Sequence, residues 1–136
     1  MEESARFFVD ENDLALGKAL AEEREGVVFP GHPAIPEVPR QAQDDEWLET
    51  IGEHGLVVIT RDQRIRYRPV EKKAWIDHAV RGFVLTGRKS QSTAESRGIL
   101  DAHWRRIERL IDERSKGPWM YAVTDSGLRE IDLDRT

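Results

Sequence analysis

The chain has 136 residues, 35 % of them charged and 38 % hydrophobic, with a net charge of −5 and no cysteine. That length suits one compact domain with a single core, and the missing thiols exclude disulfides, zinc ribbons, iron–sulfur clusters and thiol catalysis. The acidic balance argues against a protein that coats nucleic acid, and no apolar run approaches the roughly 20 residues of a membrane-spanning helix.

MEESARFF, at the start, lacks the basic stretch and apolar core of a signal peptide, so a cytoplasmic protein without membrane attachment is expected. RFFVD (6–10) is a short apolar run and reads as the first strand. Residues 13–24 follow as a helix with Leu16, Ala19 and Leu20 on one side. VVFP (27–30) is the second strand. PGHPAIPEVPR (30–40) carries four prolines and reads as a stiff surface loop. Residues 44–53 form a helix facing inward with Trp47, Leu48 and Ile51, and LVVIT (56–60), rich in β-branched residues, is the strongest strand.

Pro69 suits the first position of a third helix, with Trp75 and Ala79 on its inner face. GFVLT (82–86) is the fourth strand. Leu100, Trp104, Ile107 and Ile111 recur at helical spacing through 92–114, after the capping-box pattern Ser92-Thr93-Ala94-Glu95 and before the terminating Gly117-Pro118. WMYAVT (119–124) is a fifth strand and GLREI (127–131) a sixth, antiparallel at the edge. Consecutive apolar residues imply strands covered on both faces, hence an α/β fold: one three-layer α/β/α domain over 1–136 with a mainly parallel central sheet.

In such folds ligands bind outside the carboxyl ends of the strands. Asp10 ends the first strand, Asp62 comes two residues after the third, and Asp44, Asp45 and Glu46 open the second helix. Each has a bland explanation. Asp10, Asn12 or Asp13 would cap a helix, Asp44 to Glu46 would favour a helix dipole, and Asp62 would fix a turn. Taken jointly they make three acidic stations at one sheet edge. Crowded carboxylates repel unless a cation joins them, and oxygen-only donors suit Mg²⁺ or Mn²⁺. His32, His54, His78 and His103 are scattered with no i, i+4 pair, which argues against zinc.

With FVDEN, DDEW and VITRD in that order, the chain resembles the PIN-like nucleases, especially the toxins of VapBC-type toxin–antitoxin pairs, from Arg6 to about Ile131. The resemblance implies a Mg²⁺- or Mn²⁺-dependent endoribonuclease in which metal-activated water cuts the phosphodiesters of single-stranded RNA. Carried over, the first ligand is Asp10, the third Asp62, and the second one of Asp44, Asp45 or Glu46. Asp45 is preferred and Glu46 comes next, because Asp44 is the better N-cap. Many members carry a further acid shortly after the third, whereas Gln63, Arg64, Ile65 and Arg66 follow Asp62 here. Glu11 or Asn12 is the substitute ligand. The resemblance also implies an antitoxin that inserts an Arg or Lys into the acidic pocket, and homodimerisation; the proline loop and the exposed side of helix 92–114 are the suggested interfaces.

Residues 61–73 hold four arginines and two lysines against two acids. Arg61, Arg64, Arg66 and Arg68 are placed to grip RNA phosphates, Arg64 and Arg66 foremost, and Tyr67 to stack on an unpaired base, with Arg88, Lys89 and Ser90 as a second phosphate contact. For Lys72 and Lys73, a solvated helix start beside Glu71 is the simpler reading. The four tryptophans fit core positions better than base-stacking ones. Two alternatives compete with the nuclease. One is a PIN-like partner-binding module without catalysis. The other, a phosphoacceptor receiver, needs a lysine after the last parallel strand that WMYAVTDSG does not supply.

Overall fold

The computed structural model describes residues 6–10, 14–87 and 91–133. The elements run β1 (Phe7–Val9), α1 (Leu14–Glu23), β2 (Val27–Val28), α2 (Asp44–His54), β3 (Val57–Thr60), a 3₁₀ turn (Ile65–Tyr67), α3 (Pro69–Asp77), β4 (Arg81–Leu85), α4 (Thr93–Glu113), β5 (Trp119–Thr124) and β6 (Gly127–Ile131). The strands form one sheet in the order β2-β1-β3-β4-β5-β6. All neighbours are parallel except β5 and β6.

The pleat of short, wholly apolar strands divides the core into two. Phe8, Val58, Val84, Met120 and Ala122 point to one face, where they meet Trp47, Leu48 and Ile51 of α2 and Ala74 and Trp75 of α3. Phe7, Val9, Val57, Ile59, Phe83, Leu85 and Val123 point to the other, against Leu16 and Leu20 of α1 and Leu100, Trp104, Ile107 and Ile111 of α4. The fold is therefore the expected α/β/α sandwich. Each fully buried side chain of this size contributes about 1.5–3 kcal/mol, and all four tryptophans are buried in it. Among the described residues no helix is long and apolar enough to cross a membrane.

The capping box forms as read: Ser92 Oγ accepts from the Glu95 N–H at 3.0 Å, and Glu95 Oε1 accepts from the Ser92 N–H at 3.3 Å. Two expectations differ. Ala79 lies outside α3 and is exposed, so Ala74 and Trp75 make the inner face instead. The cause is the helix ending. The Ala79 N–H donates to the Ile76 carbonyl at 3.1 Å and the Val80 N–H to the Trp75 carbonyl at 2.9 Å, which forces Ala79 to φ +53°. The proline loop has no regular structure, but it is not merely a surface feature. Its Ile35 and Val38 are buried and belong to the α2–α3 core, while paired turns satisfy its backbone.

Gly82 marks the tightest approach between layers. A Cβ there would lie 2.6 Å from Trp75 Cη2 and 2.9 Å from the Val58 carbonyl oxygen, so only glycine leaves room for the indole against β4.

Candidate functional site

Chain order reverses across the sheet at β1 and β3, because β2 lies to one side of β1 and all later strands lie to the other. The carboxyl ends of such a pair leave a crevice that no crossover covers. Asp10 follows β1 directly, buried at 6 % exposure, with its N–H donating to the Ile59 carbonyl at 2.9 Å. Thr60, the last residue of β3 and also buried, donates its hydroxyl to Asp10 Oδ2 at 3.0 Å. Thr60 Oγ1 in turn accepts from the Asp62 N–H at 3.0 Å. One threonine thus ties the carboxylate of the first acid to the backbone of the second.

Asp62 then organises the basic segment. Its Oδ1 accepts the Arg64 N–H at 3.1 Å, an Asx turn, and its Oδ2 pairs with Arg68 Nη1. Ile65, almost wholly buried, pins the following 3₁₀ turn to the core, and Gln63 Nε2 donates to the Gly87 carbonyl at 2.7 Å at the end of β4. The alternation of one anchored apolar residue with polar neighbours leaves Arg64 and Tyr67 exposed. The Arg66 guanidinium lies 4.6 Å from the Tyr67 ring centroid and also bonds its hydroxyl.

A cleft of about 540 Å³ collects Asp10, Asp44 and Asp62 with Pro30, Gln41, Trp47, Arg68 and Glu71. The acid of α2 that lines it is Asp44. Asp45 and Glu46 are exposed and are not part of its lining. Asp44 is also not the N-cap. Gln43 holds that position, without a side-chain cap bond, and Asp44 is the first helical residue, its Oδ1 accepting from Trp47 Nε1 at 2.9 Å. The buried indole three residues on therefore turns Asp44 inward, a signal that the core position of Trp47 already contained. Glu11, Asn12 and Asp13, and Arg88, Lys89 and Ser90, lie outside the described residues.

The donors facing this cleft are hard carboxylate oxygens with no imidazole among them, the chemistry that suits Mg²⁺ or Mn²⁺. Among the described residues, however, no three acidic or histidine side chains are drawn together closely enough to hold a metal ion. Positive charge at the cleft comes from Arg68. Its hydrogen bond to Asp62 outweighs desolvation and, with the charges of Asp62, Glu71 and Asp44, raises its pKa above the ordinary arginine value.

A second cleft, about 660 Å³, opens on the other side of Asp62. It is lined by Arg61, Arg64, Arg66 and Tyr67 from the turn, by Thr86 and Gly87 after β4, and by Arg129 from β6. Val84, Met120 and Ile131 also line it, where the α2–α3 face of the sheet extends past its helices. Arg129 was not singled out in the sequence. The signal lay in the period of two along GLREI, which sets Arg129 on the same side as the buried Ile131.

The Asp10 strand end, the α2 acid and the segment running to Gly87 all fall within residues 5–87, which match the model of a PIN like domain. No curated protein and no solved structure matches the chain. The matched segment is more than half of the chain and contains the whole acidic cleft, and the chain belongs to the PIN-like domain family.

Proposed function

We propose that this PIN-like chain is a metal-dependent ribonuclease in which Mg²⁺ or Mn²⁺ enters the cleft lined by Asp10, Asp44 and Asp62 and draws together carboxylates that stand apart in its absence. The observation that carries this reading is the meeting of four carboxylates, Asp10, Asp44, Asp62 and Glu71, from four separate parts of the chain on one cleft at the sheet's switch point. When bound, such an ion supplies polarisation of a phosphodiester and a lowered pKa for an attacking water. The chain's own residues do the rest. Thr60 holds Asp10 and Asp62 at a fixed spacing. Arg61, Arg64 and Arg66 neutralise the incoming phosphates, and Tyr67 offers its face to an unpaired base.

The physiological role that fits is the toxin of a toxin–antitoxin pair, acting as a monomer or homodimer in the cytoplasm. An antitoxin segment with an Arg or Lys would silence it by filling the acidic cleft. A second reading, a partner-binding module without catalysis, draws on the pairing of Arg68 with Asp62, which already compensates one of the four acids.

Purified chain incubated with a mixed RNA pool in Mg²⁺, Mn²⁺ or EDTA tests the choice. The expected result is cutting in either metal, none in EDTA, and loss of at least two orders of magnitude in rate for Asp62→Asn at an unchanged circular dichroism spectrum. A well-folded wild-type chain that cuts nothing in either metal leaves the partner-binding module.

A further inference from the structure

The second cleft extends beyond the family segment. Residues 5–87 match the PIN-like model, whereas Met120, Arg129 and Ile131 belong to β5 and β6 and lie past it. The chain order explains why the cleft exists. α3 connects β3 to β4 on one face, and α4 connects β4 to β5 on the other. Among the described residues no α-helix follows β5, so beyond Trp75 the α2–α3 face at the ends of β4, β5 and β6 is overhung by the arginine-bearing turn. β6 then runs antiparallel beside β5, with Arg129 opposite Ala122 and Ile131 opposite Met120. The outcome is a trough with an apolar floor and arginines on both walls.

We infer that this trough holds a single-stranded RNA segment entering the acidic cleft, with Arg129 as a phosphate contact facing Arg64 and Arg66. The inference rests on the ribonuclease reading and specifies how its substrate lies. Charge comes first. In a chain of net charge −5, four guanidiniums gather on one cleft, and Asp62 is the acid among its lining residues. Among the described residues neither Arg64 nor Arg129 has an acidic side chain paired with its guanidinium. Shape comes second. Tyr67, 57 % exposed and backed by Arg66, is a ring face against which a base can stack, a feature with no use for an acidic peptide. Position comes third. Asp62 lines both clefts, so a strand lying in the trough passes directly to the acids. A duplex presents its bases already stacked and leaves Tyr67 nothing to bind.

Binding is measured by fluorescence anisotropy with the full chain in EDTA, which separates binding from any cleavage. The probe is a fluorescein-labelled 2′-O-methyl oligouridylate decamer, titrated between 50 and 300 mM NaCl, roughly the range over which phosphate contacts declare themselves. Each phosphate contact to a single strand adds about 0.7 to the slope of log K against log salt. Arg129→Gln is expected to lower the slope by about that much and to weaken binding about fivefold at 0.1 M salt. Arg64→Gln should do the same. Tyr67→Ala should weaken binding at an unchanged slope, and Arg105→Gln on the outer side of α4 should alter neither quantity. Arg129→Gln with wild-type affinity and slope overturns the proposal, as does equal affinity for a duplex decamer or ready displacement by an oligoglutamate peptide. The two readings fail separately. Binding in EDTA without cutting in metal sinks the ribonuclease and keeps the trough, while full cutting with an indifferent Arg129 does the reverse.

Discussion

Thr60 and Arg68 show how much at this site depends on single polar atoms. A buried carboxylate such as Asp10 is costly without partners, and the Thr60 hydroxyl meets part of that cost while also receiving the Asp62 N–H. Arg68 acts on the same acid from the other side. Its side chain is 43 % exposed, so its pairing with Asp62 is worth at most about 1 kcal/mol to the fold. Its greater effect is on whatever cation the acids receive, because a guanidinium there repels a divalent ion. Arg68→Gln is therefore expected to tighten Mn²⁺ binding about fivefold, on the order of 1 kcal/mol of relieved repulsion in a wet cleft. Titration calorimetry with Mn²⁺ alone checks this, and weaker binding would mean instead that Arg68 holds Asp62 in a ligating pose. Asp10 and Asp62 were legible in the sequence because strand ends are. Choosing Asp44 over Asp45 needed the phase of α2 against the sheet, which the indole of Trp47 sets.

Helices and strands were the most readable level, since caps, prolines and apolar runs act locally. β5 and β6 have the bounds their residues suggested, and α4 has its capping box. What the local pattern did not convey was how elements end against one another. Ala79 satisfies helical periodicity, yet the hydrogen bonds that close α3 and launch β4 place it in the left-handed region. An alanine there bears strain that glycine does not. Ala79→Gly is thus expected to raise stability by about 1 kcal/mol, read as a higher urea midpoint at unchanged slope. A lower midpoint would show that the loop's entropy outweighs the strain. The proline loop is the other case. Its turns were evident, but the burial of Ile35 and Val38 depends on α2 lying across the sheet, a non-local fact.

At the scale of the molecule, the sheet order gives the chain two adjoining clefts of opposite character. One forms where β1 and β3 part, and the other where the helical layer stops short of β6. The first follows from the α/β class, and reading the sequence reached it. The second requires knowing which face each crossover takes, and the edge strand that completes it gave no sign beyond the phase of Arg129. Asp62 is a wall of both. A shared wall makes the two occupants thermodynamic partners: whatever factor a cation applies to the affinity for a strand, the strand must apply to the affinity for the cation. The sign of that factor is expected to favour joint occupancy, because a phosphate drawn into the trough places negative charge beside the wall it shares with the cation. Decamer affinity measured with and without Mn²⁺, beside Mn²⁺ affinity measured with and without decamer, should give one common factor above unity. A factor of one would mean that Asp62 borders the two clefts without conveying anything between them. With a factor above unity, the PIN-like chain charges its acidic cleft most readily when a strand is already in place, so that the empty molecule restrains itself.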